Sequence, residues 1–164
     1  MITRTAIEDI THDDLVNLFS TALYGSNYLG VSYGEKTPDC TEDDCLEDII
    51  AKILLGGGTI KLIDLLADGT VMGELPHDEP CKDEDEMYGS VAYYVTLEDI
   101  RKGLEKSANG TFNTRPEVSE DFAKRNEMFA REAFSAYINE SRFWDYTAAD
   151  ALMQVILYNE IVYG

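Results

Sequence analysis

The sequence predicts an α+β protein in which a small, mainly antiparallel sheet of about four strands packs against about five helices. Two observations predict this class. Apolar residues recur at helical spacing in five segments, and short β-branched or aromatic runs lie between them. With 164 residues, 45% of them apolar, the chain can bury a core as a single domain over 1–164.

The helix starts are predicted by a repeated pair, a threonine followed three residues later by an aspartate. A threonine at the N-cap and a carboxylate in the first turn both bind free backbone amides. The pairs are Thr11/Asp14, Thr41/Asp44, Thr96/Asp99 and Thr147/Asp150. The pattern predicts helices that end near Gly25, near the glycines at 56–58, shortly after Leu104 and near Tyr158. A fifth, longer helix is predicted after Ser119.

Four strands are predicted between these helices, at 27–33, 59–66, 71–75 and 91–95. The turn residues at 67–70 favour a hairpin between the second and third strands. The apolar residues 161–163 predict a short edge strand. Two segments, 34–44 and 76–90, are polar and acid-rich and are predicted to be long loops.

The net charge of −19 is distributed unevenly along the chain. The first hundred residues carry 22 acids and 5 bases, whereas the last 64 carry 10 acids and 8 bases. Such a field acts on partners and on solubility rather than on the fold. It favours a basic partner, with solvated acidic loops and a weak cation site as the alternatives. Direct binding of nucleic acid is not expected, because lysine and arginine are not clustered.

Twelve of the 22 acids fall in two windows, at 39–48 and 78–86. These windows coincide largely with the two predicted loops, so their carboxylates are the candidate partner-binding residues. Eleven of the twelve, all but Asp48, are taken as candidates, and they are Asp39, Glu42, Asp43, Asp44, Glu47, Asp78, Glu79, Asp83, Glu84, Asp85 and Glu86.

All three cysteines and one of the two histidines also fall near or within the two loops, at Cys40, Cys45, His77 and Cys81. A Cys3His set is a known tetrahedral ligand set for structural zinc. The spacing matches no specific zinc motif, so free cysteines are the alternative. No calcium loop with an EF-hand order of acids is present. No cofactor other than this zinc is predicted.

Tyrosines flank two of the predicted strands, and they are Tyr24, Tyr28 and Tyr33 at the first and Tyr88, Tyr93 and Tyr94 at the fourth. They could line a cleft that stacks a nucleotide base, or they could pack within the sheet. No nucleophile elbow and no spaced Cys/His or paired-carboxylate motif is present, so an enzyme is not predicted. No signal peptide and no long apolar run occurs, which predicts a cytoplasmic protein without membrane contact.

Several separated blocks of the sequence occur together in a known group. They are Thr21-Ala22-Leu23-Tyr24-Gly25, the run from Leu54 to Leu62 with Asp64, Thr96-Leu97-Glu98 with Gly103, Ala149-Asp150-Ala151 with Gln154, and the ending Asn159 to Gly164. In this order they resemble small acidic proteins of bacteriophages and integrative mobile elements of gut Firmicutes. The chain departs from that group at 76–90 and at 112–143, which resemble insertions, and the second of them is predicted to be helical. The chain also has Leu29 where the group has a tryptophan.

The resemblance implies a counter-defence context. Together with the acidic windows it predicts a non-enzymatic protein that binds the basic nucleic-acid-binding face of a host defence protein. Such nucleic-acid mimicry would be of the anti-CRISPR or antirestriction type, in the cytoplasm of the bacterial host. The alternatives are a binder that sequesters a small nucleotide signal and a zinc-stabilised interaction scaffold.

Overall fold

The structure is a computed structural model that describes residues 8–25, 29–64, 81–85, 90–138 and 146–161. Within these ranges it contains five helices and a four-stranded antiparallel sheet, which confirms the predicted fold class. The helices are α1 (His12–Gly25), α2 (Leu46–Leu55), α3 (Leu97–Asn109), α4 (Glu120–Ile138) and α5 (Tyr146–Tyr158). The strands are β1 (Leu29–Tyr33), β2 (Ile60–Asp64), β3 (Cys81–Asp85) and β4 (Ser90–Val95).

The strand order in the sheet is β1-β2-β4-β3. Tyr33 of β1 lies opposite Ile60 of β2, and Ile60 lies opposite Val95 of β4. The predicted third strand, 71–75, and hence the predicted hairpin, lie outside the described residues. The predicted edge strand at 161–163 is described only at Ile161, which is not in a strand.

Strand β3 corrects the prediction that 76–90 is a loop throughout. Its backbone pairs with β4, with Cys81 opposite Tyr94 and Asp85 opposite Ser90. Lysine, aspartate and glutamate are poor strand formers, so the sequence of β3 gives no strand signal. The segment forms a strand because β4 has a row of backbone N–H and C=O groups with which it can pair. Charged residues suit this edge position, since they resist pairing with a further strand.

Two of the predicted caps form as expected. The Asp14 carboxylate accepts the Thr11 amide at 2.9 Å, and the Asp99 carboxylate accepts the Thr96 amide at 2.8 Å. Thr41 and Asp44 form a turn instead of a helix start, and α2 begins four residues later than predicted, after Cys45. The long helix does follow Ser119, whose Oγ accepts the Phe122 amide at 3.0 Å.

The main core lies between one face of the sheet and the helices. Helix α5 is at its centre, because it packs against α1, α3 and α4 and is buried at every position from Ala148 to Leu157 except Asp150. Its last residue, Tyr158, donates a hydrogen bond of 2.6 Å to the buried carboxylate of Asp64. The helical layer and the sheet are therefore joined by a polar contact as well as by apolar packing.

Helices α3 and α5 approach each other most closely at Gly103. A Cβ atom at this position would lie 2.2 Å from Cγ1 of Ile156. No side chain fits there, so glycine is required by packing rather than by backbone conformation.

The segment at 112–119 connects α3 to α4 and is attached to the end of α5. Asn113 donates its amide to the Asn159 carbonyl at 2.8 Å, and the Arg115 guanidinium binds both oxygens of the Glu160 carboxylate. Of the segment 112–143 that was predicted to be a helical insertion, 120–138 forms α4, 112–119 is not helical, and 139–143 lies outside the described residues. None of the helices described in full or in part is both long and apolar enough to cross a membrane.

Candidate functional site

The first acidic window is held against α2 by one lysine. Lys52 Nζ donates to the Asp44 carboxylate at 2.7 Å and to the Asp39 carbonyl at 2.8 Å. The hydrogen bond from Lys52 holds the pKa of Asp44 below its usual value, with help from the Thr41 amide. Residues 34–45 form no helix or strand, whereas the predicted loop was 34–44, and these contacts fix the path of the segment along α2.

A second set of contacts joins the start of α2 to the start of α1. Asp48, in the first turn of α2, accepts the Cys45 thiol at 3.0 Å through one oxygen and lies 3.0 Å from His12 Nε2 through the other. Both hydrogen bonds, first that from Cys45 and then that from His12, lower the pKa of Asp48. His12 is thus a structural bridge between two helix starts rather than a freely solvated residue.

This bridge brings the acids of both helix starts into one region, which we call the acidic corner. Asp9, Asp13, Glu42 and Asp43 are exposed there. The acidic corner consists of Glu8, Asp9, Asp13 and Asp14 at the start of α1 and Glu42, Asp43, Asp44 and Asp48 at the start of α2. The sequence carries no signal that the α1 acids lie beside the loop, because only the packing of α1 on α2 makes them neighbours.

The electrostatic effect of the acidic corner extends into the core at Tyr137, near the end of α4. Burial raises the pKa of Tyr137 to about 12, and the charges of Asp14 and Asp9 add to this effect. The nearby Arg101 guanidinium opposes it. The start of α1 therefore faces α3 and α4 as well as α2.

We expect Tyr137 to ionise about two pH units later than an ordinary tyrosine, which has a pKa near 10. The folded state holds this proton more tightly than the unfolded state. Its contribution to stability is therefore fully present below pH 10 and is lost as the pH rises from about 10 to 12. The measurement is tyrosinate absorbance, with Tyr137→Phe as the blank. The difference curve should have a midpoint near 12, which Asp9→Asn with Asp14→Asn lowers. A midpoint near 10 would show that neither burial nor the charges of Asp9 and Asp14 raise the pKa of Tyr137.

The strand order does not place the described part of the second acidic window beside the first. Asp83, Glu84 and Asp85 belong to β3, and loop 34–45 leaves the sheet from β1. These strands are at opposite edges with β2 and β4 between them, which is three strand spacings, or about 14 Å. Residues Asp78, Glu79 and Glu86 lie outside the described ranges. The prediction of one surface built from both windows therefore gains no support from the strand order.

The prediction that Glu47 belongs to the partner-binding surface of the first window is wrong. Glu47 is only 5% exposed, so it does not belong to a surface that a partner could reach. Helical spacing places it on the same side of α2 as Ile50, Ala51 and Leu54, which are all buried. Asp44 remains in the acidic corner, but its carboxylate is largely shielded by its ion pair with Lys52.

The candidate zinc ligands are only partly described. Cys40 is half-buried with its sulfur 3.4 Å from the Thr37 hydroxyl, and Cys45 is exposed. The hydrogen bond to Asp48 raises the pKa of the Cys45 thiol, which disfavours the thiolate that zinc requires. His77 lies outside the described ranges, and only the backbone of Cys81 is described. Among the described residues, no group of three or more potential ligands is arranged around a common point.

The tyrosines do not form a shared cleft within the described chain. Tyr93 is buried and makes an edge-to-face contact with Tyr158, with ring centroids 5.5 Å apart. Tyr94 follows it in β4 and therefore points to the opposite face, where it is 39% exposed. Tyr33 lies opposite Ile60, which is on the same face of the sheet as Tyr93. Tyr33 therefore packs against the main core, as Tyr93 does. Tyr28 and Tyr88 lie outside the described residues, as does the side chain of Tyr24.

No family of proteins, no curated protein and no solved structure matches this chain.

Proposed function

We propose that this protein is a non-enzymatic inhibitor that binds a basic, nucleic-acid-binding surface of another protein through its acidic corner. The proposal rests on one observation: the contact between His12 and Asp48 joins the acidic starts of α1 and α2. This contact and the ion pair between Lys52 and Asp44 fix the Asp48 and Asp44 carboxylates and hold the two helix starts together before a partner arrives. Less conformational freedom is then lost on binding.

The charge of the acidic corner is of the right size for this role. Lys52 neutralises Asp44, which leaves seven carboxylates in the acidic corner. Duplex DNA carries one charge per ~1.7 Å, so seven carboxylates carry the charge of about 12 Å of duplex. A basic cleft that binds phosphates can bind fixed carboxylates by the same charge-assisted hydrogen bonds. The net charge of −19 adds long-range attraction, which accelerates association at low salt.

We further propose that the partner is a nucleic-acid-binding defence enzyme of a bacterial host and that binding occurs in the host cytoplasm. The resemblance to proteins of phages and mobile elements supports this identification. The exposed acids support the proposal that the surface of the partner is basic. The acids of β3 are not needed for this mode of binding, since they belong to the other edge of the sheet.

The proposal is tested by charge reversal in the acidic corner. Glu42→Lys with Asp43→Lys should weaken binding at least about tenfold, because it places two cations in the centre of the contact. The matched control is Glu105→Lys with Asp121→Lys, which changes the net charge equally at exposed sites on α3 and α4. The wild-type chain and both variants are immobilised and exposed to lysate of a Firmicutes host at low and at physiological salt.

The expected result is a protein that binds the wild type and the control but not the acidic-corner variant. Competing duplex DNA should release it, and higher salt should weaken it. Equal retention by all three chains, or retention that DNA does not affect, would contradict the proposal. Melting temperatures of the three chains show that the reversals leave the fold intact.

A further inference from the structure

Helix α4 has an outward face that packs against no described element. Six residues line an open groove along this face, and Met128 at its centre is 50% exposed. They are Lys124, Glu127, Met128, Arg131, Glu132 and Ser135. The other side of α4 is buried through Ala130, Phe134 and Tyr137.

The described residues that line this groove include two cations and two anions, so their charges cancel. This balance is unusual in a chain whose net charge is −19. Two copies of the chain repel each other over most of their surfaces. A second copy can approach the groove with much less repulsion than it meets at the acidic corner.

The order of the charges is also self-complementary. Lys124, Met128 and Glu132 are spaced four residues apart and lie along one stripe of the helix. In an antiparallel pair related by a two-fold axis through Met128, Lys124 of each copy faces Glu132 of the other. Arg131 is already paired with Glu127 of its own copy at 2.9 Å, so this charge is neutralised locally. Lys124 lies 3.6 Å from Glu120 of its own copy, but both side chains are exposed, and such a surface pair is weak enough to leave Lys124 available to Glu132 of the second copy.

We propose that α4 binds α4 of a second copy in this antiparallel arrangement, with Met128 on the two-fold axis. The arrangement also separates the acidic corners, because each lies near Tyr137 at the end of its own α4. Along the helix axes the two Tyr137 residues would be about 27 Å apart. That exceeds the Debye length of about 8 Å at physiological salt, whereas a parallel arrangement would place the corners side by side.

The dimer is expected to be weak. A contact through one helix buries less surface than a standard interface of about 1,600 Å², so a dissociation constant in the micromolar range is expected. This inference does not depend on the proposed function. It concerns a face of α4 whose charges balance, whereas the acidic corner is strongly negative.

The test is the molar mass in solution, measured by sedimentation from about 1 to 500 µM. The wild type should rise from 18.4 kDa towards twice that mass. Lys124→Glu alone and Glu132→Lys alone should each weaken association at least about tenfold. The two changes in one chain should restore it, and an equimolar mixture of the two single variants should associate as a heterodimer. Lys102→Glu, at an exposed site on α3, is the control and should associate like the wild type.

Three results would each overturn the proposal. One is a monomer at every concentration. Another is a dimer that neither single reversal weakens, which would place the contact elsewhere. The third is a failure of the mixed single variants to associate although both retain the melting temperature of the wild type.

Discussion

Gly103→Ala is expected to lower the free energy of unfolding by about 2–3 kcal/mol. Alanine is a better helix former than glycine by about 1 kcal/mol, so propensity alone predicts the opposite sign. Packing decides the outcome, because the new Cβ would lie 2.2 Å from Cγ1 of Ile156 and 3.4 Å from its Cα. Helices α3 and α5 must therefore separate. Urea unfolding of the variant measures the change.

Ile156→Ala provides the check on this mechanism. It removes Cγ1 and Cδ1, the two atoms nearest the new methyl group, and leaves Cα in ordinary contact. The double variant should be more stable than the sum of the two single effects predicts. Gly34→Ala is the matched control, since nothing lies within 4 Å of that position. Additive effects, or a stable Gly103→Ala, would show that the helices do not approach as closely as described.

Leu152→Ala is expected to destabilise the protein by about 3–5 kcal/mol, because it opens a cavity in the most enclosed helix. Leu152 is fully buried in α5, which packs against three other helices. No neighbouring helix can move into the space without losing its own contacts. The measurement is again the free energy of unfolding in urea.

Leu55→Ala is the control for Leu152→Ala. It removes the same atoms from the last turn of α2, where the side chain is 41% exposed. Its cost should be at most about 0.5–1 kcal/mol, since less apolar surface returns to water. Similar losses in the two variants would mean that α5 is not the centre of the core.

The fold class was predictable because its signals are local. The capping pairs at Thr11 and Thr96 form as the sequence predicts, and helical periodicity identifies all five helices. The pair at Thr41 predicted a helix start that is wrong by one turn. The helix begins after Cys45 instead, where the Asp48 carboxylate accepts the Cys45 amide. Cysteine is not a common N-cap residue, so this start had no recognisable signal.

The acidic corner was predictable only in part. The loop acids Glu42 and Asp43 were identified from their density, but their neighbours at the start of α1 depend on a helix contact that joins distant parts of the chain. The strand β3 was missed because its charged residues have no strand propensity. Glu47 could have been excluded from the sequence, since its spacing from Ile50 and Leu54 places it on the apolar side of α2.

The central position of α5 has a consequence for synthesis on the ribosome. Helices α1, α3 and α4 emerge first, at about 5–20 residues per second, and each is complete before α5 exists. Until then their apolar sides lack the helix that covers them. The nascent chain lacks the central helix of its core until α5 has been made, and the repulsion between its many carboxylates helps to keep such chains from aggregating.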